Sequence, residues 1–114
     1  MIKKWIEVTF QKDGIHMYPL APEGVEFLRF PHRHMFYFRV KVEVFHDDRD
    51  IEFILFKRDL EDLYNNQTLQ LDHKSCEMMA DDVIRYIQNA YPGRDVTVSV
   101  FEDNENGAIL EYTR

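Results

Sequence analysis

Residues 30–44 read Phe30-Pro31-His32-Arg33-His34-Met35-Phe36-Tyr37-Phe38-Arg39-Val40-Lys41-Val42-Glu43-Val44. From His34 onward they alternate. Phe36, Phe38, Val40, Val42 and Val44 fall on one side, and Met35, Tyr37, Arg39, Lys41 and Glu43 on the other. A period of two sustained over that length is the signature of a long strand with one face in a core. His32 and His34 share the parity of the apolar set, so both point toward the inner face, where an unpaired imidazole is costly. Histidines at i and i+2 on one strand face stand close enough to share a metal ion. The other reading is two satisfied core or interface histidines at a strand start.

Length and composition bound what surrounds this strand. A chain of 114 residues has the length of a single domain, and 1–114 is read as one. A domain this small gains from oligomerisation, which buries further apolar surface. Nine Phe, six Tyr and one Trp are too many aromatics for a disordered chain. A formal charge of −7 argues against a nucleic-acid partner, which calls for a basic footprint. One cysteine forms no internal disulfide and suits a reducing compartment. Met1-Ile2-Lys3-Lys4-Trp5 leads into no long apolar run, so no signal peptide is expected, and no segment is long enough to cross a membrane. The expectation is a soluble cytoplasmic protein.

Before residue 30, Ile6, Val8 and Phe10 alternate with Trp5, Glu7 and Thr9 as a first strand over 2–10. Lys12-Asp13-Gly14 reads as a turn or bulge, His16 follows, and Pro19, Pro22 and Gly24 mark an irregular loop to about residue 30. After residue 44, His46-Asp47-Asp48-Arg49-Asp50 is a polar turn, and Ile51 to Leu55 is expected to return as a short strand. Phe53, Phe56, Leu60, Leu63 and Tyr64 then recur at helical spacing, ending near Asn65-Asn66.

A linker, Gln67 to Lys74, precedes a second helix with Ser75 as its N-cap and Met79, Val83, Ile84, Ile87 and Ala90 as its stripe. Pro92-Gly93 stops it. Val96, Val98 and Val100 alternate as a strand whose inward parity continues to Glu102. Asp103 to Gly107 turns, and Ala108 to Tyr112 is a last strand. The expected architecture is α+β, a four-stranded antiparallel sheet with two helices on one face, in the order ββααββ.

Six pieces of this chain, in order, resemble the 6-pyruvoyl-tetrahydropterin synthase family, which includes the 6-carboxytetrahydropterin synthases of the queuosine pathway. They are His16 with its Pro-containing loop, His32-Arg33-His34, Ile51-Glu52-Phe53 with Lys57, Leu71-Asp72-His73, Ser75-Cys76-Glu77, and Val100-Phe101-Glu102-Asp103. The resemblance runs from about Val8 to Tyr112. It implies the tunnelling fold, assembled into barrels as a homo-trimer or homo-hexamer with active sites between subunits. It implies zinc held by His16, His32 and His34. Three imidazoles with an open position are the ligand set of a catalytic zinc site. Glu102 matches the family's pterin anchor, a carboxylate that accepts two parallel hydrogen bonds from the pterin edge. Asp72 and His73 match its proton-relay pair, in which the acid orients the imidazole.

The chain also departs from the pattern. The family carries a catalytic cysteine shortly before the His-x-His, and Val25-Glu26-Phe27-Leu28-Arg29-Phe30-Pro31 has none. Glu26 is the only acid in that stretch, and some family members use a glutamate there and cleave the side chain differently. Arg33 replaces the middle glycine, Glu52 replaces an aspartate, and the segment after His73 is shorter. Cys76 takes a serine position at a helix start, where a thiol can be activated or simply be a small buried residue. Two functions follow from the resemblance. One is a zinc-dependent lyase acting on 7,8-dihydroneopterin triphosphate or a related pterin. The alternative is a weakly active or inactive binding module that keeps the metal or the pterin.

Overall fold

A computed structural model describes all of residues 1–114. Strand β1 runs Lys4–His16, β2 His32–Val44, β3 Leu69–Asp72, β4 Val96–Glu102 and β5 Asn106–Tyr112. Helix α1 spans Phe53–Glu61 and α2 spans Cys76–Ala90, and a single 3-10 turn, Glu26–Arg29, interrupts the loop between β1 and β2.

The sheet has five strands in the order β3-β1-β2-β4-β5. The pairs β1–β2, β2–β4 and β4–β5 are antiparallel, whereas β3 lies parallel to the end of β1. This corrects the expected four-stranded, wholly antiparallel sheet. The missed strand, Leu69-Gln70-Leu71-Asp72, sits inside the supposed linker. Leu69 and Leu71 are buried and Gln70 and Asp72 exposed, an alternation too short to stand out among polar neighbours.

Two other expectations are corrected. Lys12-Asp13-Gly14 is no turn, because β1 continues through it to His16. The Asp13 carboxylate accepts from Arg33 of β2 and from Thr68, just before β3, at 2.6 and 2.8 Å, instead of closing a local turn. Gly14 is a close-approach residue: a Cβ there would lie 2.7 Å from Leu71 Cδ1 and 3.0 Å from Phe36 Cε2. Ile51 to Leu55 is no strand, because Glu52 caps α1, its carboxylate accepting from Leu55 N at 2.7 Å. The cap at Ser75 is as expected, with its hydroxyl accepting from Met78 N at 3.1 Å.

One face of the sheet carries Val8, Phe10, Phe36, Phe38, Val40, Val42, Val96, Val98 and Val100, all buried. Phe56 and Leu60 of α1 and Met79, Val83 and Ile87 of α2 join the same apolar cluster, so both helices cover that face. Ala90, expected in the α2 stripe, is exposed. Phe10 and Phe38 stack at its centre, ring centroids 4.6 Å apart. At one end of the strands an ion-pair network ties Lys3 to Asp95 and Arg94 to Asp50. At the other end the apolar inner face gives way, beyond Phe36, to histidines.

Candidate metal centre

The β1–β2 register builds this end of the sheet. Val8 faces Val40, Phe10 faces Phe38, Gly14 faces His34 and His16 faces His32. The parity that buries the phenylalanines therefore puts three imidazoles on the same face. Their ring centroids lie 4.6 Å (His16–His32), 5.0 Å (His32–His34) and 5.5 Å (His16–His34) apart. The Phe36 ring meets His16 and His34 edge-on, at 5.2 and 5.9 Å.

Each ring has its Nδ1 committed. His16 Nδ1 lies 2.8 Å from the Lys74 carbonyl and His32 Nδ1 lies 2.9 Å from the Phe30 carbonyl. A carbonyl only accepts, so both nitrogens carry the proton and donate. His34 Nδ1 sits 2.6 Å from Asp103 Oδ2, again a donor to an anion. All three rings thus present Nε2 as the lone pair, the tautomer that outer hydrogen-bond partners impose on metal-bound histidines. One ligand atom from each histidine lies within 4.8 Å of the other two. Tetrahedral zinc with bonds of about 2.0–2.1 Å needs ligand atoms about 3.3 Å apart, a contraction within reach of side-chain rotation. His34 Nε2 is buried and makes no hydrogen bond. That nitrogen has the Glu102 carboxylate beside it but no hydrogen bond, which fits a ligand set built to receive a cation.

Glu102 reaches this group from the end of β4, opposite Phe36 in the ladder. Its Oε2 is 2.8 Å from His34 Nε2 and its Oε1 is 3.9 Å from His16 Nε2. The chain turns immediately after it, with Asp103 in the left-handed region at φ +52°. There Asp103 also accepts from Met35 N at 3.0 Å, and its own N–H donates to the Met35 carbonyl at 2.7 Å. The hydrogen bond from His34, with help from Met35 N–H, holds the Asp103 carboxyl below the usual carboxylate range. Sequence reasoning missed Asp103. The available signal was an acid directly after an inward-facing strand-end glutamate.

A cleft of about 540 Å³ opens beside the histidines, lined among others by His16, His32, His73, Cys76, Glu77 and Glu102. That volume suits a small molecule. The chain around it has a known counterpart in shape. No family model matches the chain, and no curated protein matches its sequence. Among solved structures, 6-pyruvoyl tetrahydropterin synthase of Plasmodium falciparum superposes with a TM-score of 0.63, over 95% of this chain and 98% of that one. The chain has a distant pterin-synthase-like fold. Identity to that structure is 15%, so the likeness is one of fold.

The remaining candidates divide. His73 lines the cleft, and Asp72 Oδ2 lies 3.5 Å from His73 Nδ1, both side chains largely exposed. Asp72 itself has φ +56°, and its carbonyl accepts from Met17 N at 2.8 Å, so its backbone closes the loop beside His16. Glu26 lies outside the cleft lining, and its carboxylate accepts from Gly24 N within its own loop. Cys76 is buried at the start of α2, with Sγ 4.0 Å from Glu102 Oε1. Burial, with the Glu102 and Glu77 charges, pushes its thiol up to about 12. The helix start does not make it a thiolate; it is a small buried residue. No helix in the chain is long and apolar enough to cross a membrane.

Proposed function

We propose that this chain is a zinc-dependent lyase acting on 7,8-dihydroneopterin triphosphate or a related pterin, with His16, His32 and His34 as the metal ligands. The observation that carries the reading is the convergence of three imidazoles whose Nδ1 atoms are all engaged, leaving their Nε2 atoms to face a common ion. The fold likeness to a protein named as a tetrahydropterin synthase supports the substrate class. Imidazole ligands favour zinc among available divalent ions. Bound there, the ion would supply Lewis-acid polarisation of substrate oxygens.

The chain's own groups take the other roles. Glu102 accepts from the amino and ring N–H edge of the pterin. His73, oriented by Asp72, moves a proton at the cleft mouth. Glu26 is the acid proposed in place of the missing loop cysteine; to act it must leave its contact with Gly24 N. Assembly as a homo-trimer or homo-hexamer would bring a neighbouring subunit to the cleft.

A binding module without turnover is the second reading. It is favoured by the loop that lacks a cysteine and by a Cys76 thiol too basic to take its place. The test begins with metal analysis of the purified protein. Incubation with 7,8-dihydroneopterin triphosphate and mass spectrometry of the products follows. A side-chain-cleaved pterin that forms only with metal present establishes the lyase. Metal and pterin binding with no product establishes the module, and absence of both overturns the proposal.

A further inference from the structure

We propose that the cleft takes a pterin whose side chain ends in hydroxyls, and turns away the same pterin carrying phosphates. The inference rests on the pterin reading above and narrows it, choosing between the two kinds of substrate named there.

The argument is one of charge. A triphosphate carries several negative charges, and a site for it must supply cations or unpaired backbone N–H groups. Lys74 is the one lysine or arginine in the cleft lining. Its ammonium is tied to the Asp82 carboxylate in an ion pair. Glu77 and Glu102, also in the lining, set two carboxylates against that single cation. Arg29 and Arg33, next in sequence to the lining residues Leu28 and His32, are engaged elsewhere. Arg29 donates from two guanidinium nitrogens to the Ala21 carbonyl, at 2.9 and 2.8 Å, and Arg33 donates to Asp13 at 2.6 Å.

The start of α2 is the natural place for an anion in this cleft, since Ser75, Cys76, Glu77 and Met78 all line it. That helix end is already answered. The Ser75 hydroxyl accepts from Met78 N at 3.1 Å, and Glu77 puts a carboxylate in the first turn, where the helix dipole favours one. A phosphate brought there meets Glu77 instead of an unopposed helix end. A divalent ion on the histidines would only just outweigh the two glutamates, far short of the charge on a triphosphate. A neighbouring copy brings the same excess of acid, a formal −7 over the chain. Hydroxyls, by contrast, both donate and accept, and Ser75, His73 and Asn106 offer both kinds of partner in the lining.

The test uses the full-length protein, with zinc bound and with it removed. Each form is titrated with 7,8-dihydroneopterin and with its triphosphate, followed by pterin fluorescence. The unphosphorylated pterin should bind at least about tenfold more tightly in both forms. Salt screens the repulsion between like charges, so the gap should narrow as ionic strength rises to about 0.15 M and beyond. Glu77→Gln removes one of the opposing charges. It should tighten binding of the triphosphate several-fold and leave that of the unphosphorylated pterin unchanged. Triphosphate binding as tight as that of the unphosphorylated pterin, or tighter, overturns the proposal while leaving the pterin reading standing. A gap that neither salt nor Glu77→Gln alters also overturns it, because shape rather than charge would then select the ligand. Binding of neither compound overturns both. The salt series needs no variant and decides the matter even if Glu77→Gln folds poorly.

Discussion

His16 and His32 are direct cross-strand partners in the β1–β2 ladder, their rings 4.6 Å apart. Residues so paired hold their side chains close without any loop having to order, so the metal site is prepared by the same register that packs the core. Replacing His32 and His34 together by alanine should abolish metal binding. The sheet should stay folded, because Phe36, Phe38, Val40 and Val42 carry the packing of β2. Zinc at 100 times its Kd should raise the stability of wild type by about 2.7 kcal/mol and that of the double variant not at all. Denaturation with and without metal checks both. Equal stabilisation of the two proteins would place the ion elsewhere.

Glycine close approaches give a second expectation. A Cβ at Gly107 would lie 2.1 Å from the Val100 carbonyl oxygen and 2.6 Å from Phe101 Cα, both backbone atoms that cannot swing aside. At Gly14 the obstacles are side chains, Leu71 and Phe36. Gly107→Ala should therefore cost more than Gly14→Ala, for which overpacking of about 1–3 kcal/mol is expected. Gly14→Ala should also weaken metal binding, since Gly14 faces His34 and Phe36 supports two of the imidazoles. Urea unfolding of both variants and metal titration of the second are the measurements. A tolerated Gly107→Ala would show that the β4–β5 pairing is looser than described.

Phe38 is buried, stacks on Phe10 and meets Tyr64 at 5.4 Å. Truncation leaves a cavity between a sheet and helices that cannot collapse onto it. Phe38→Ala should destabilise by about 3–5 kcal/mol, read from the urea midpoint. A loss under about 1 kcal/mol would mean that the stacked pair is not the centre of the core.

Acid should weaken the end of the sheet away from the histidines. Hydrogen bonds from Arg94 and from Phe45 N–H hold the Asp50 carboxyl below its ordinary 3.8, and those from Lys3 and Arg114 N–H do the same at Asp95. A depressed folded-state pKa contributes stability that is complete above the unfolded value, about 3.9, and is lost as pH falls through the folded one. Urea midpoints should therefore drop below about pH 4 on account of these two groups. Asp50→Asn should be less stable than wild type at pH 6, and its midpoint should fall less steeply between pH 4 and pH 2. Parallel pH profiles would remove Asp50 from the acid response.

The long strand, the second helix and the inward parity of His32, His34 and Glu102 were legible because period two and helical spacing persist over many residues. Strand β3 was not, because four residues among polar neighbours show too little alternation, and its parallel pairing with β1 depends on a register that forms only in the folded chain. Gly14 was misread for a related reason. A glycine beside Asp13 is a turn signal locally, and only the approach of Leu71 and Phe36 explains it as a strand residue. The ends of the site were hidden in the same way. The carbonyls of Lys74 and Phe30 and the carboxylate of Asp103 become partners of the imidazoles through tertiary placement, which no spacing rule encodes.

Glu102 lines the cleft with its carboxylate, while Cys76 beside it stays a neutral thiol. If that carboxylate receives the amino and ring N–H groups of a pterin, Glu102→Gln exchanges one acceptor for a donor while keeping the side chain's shape. Pterin affinity should then fall by about 1.5–3 kcal/mol, the range for hydrogen bonds to a charged group. The measurement belongs in metal-free protein, where edge recognition is separated from any effect of Glu102 on the ion. Quenching of pterin fluorescence on titration gives the two dissociation constants. Asp72→Asn serves as the comparison: Asp72 is not among the residues lining the cleft, so the change should leave affinity unchanged and lower only turnover. Equal affinities in wild type and Glu102→Gln would remove Glu102 from pterin recognition.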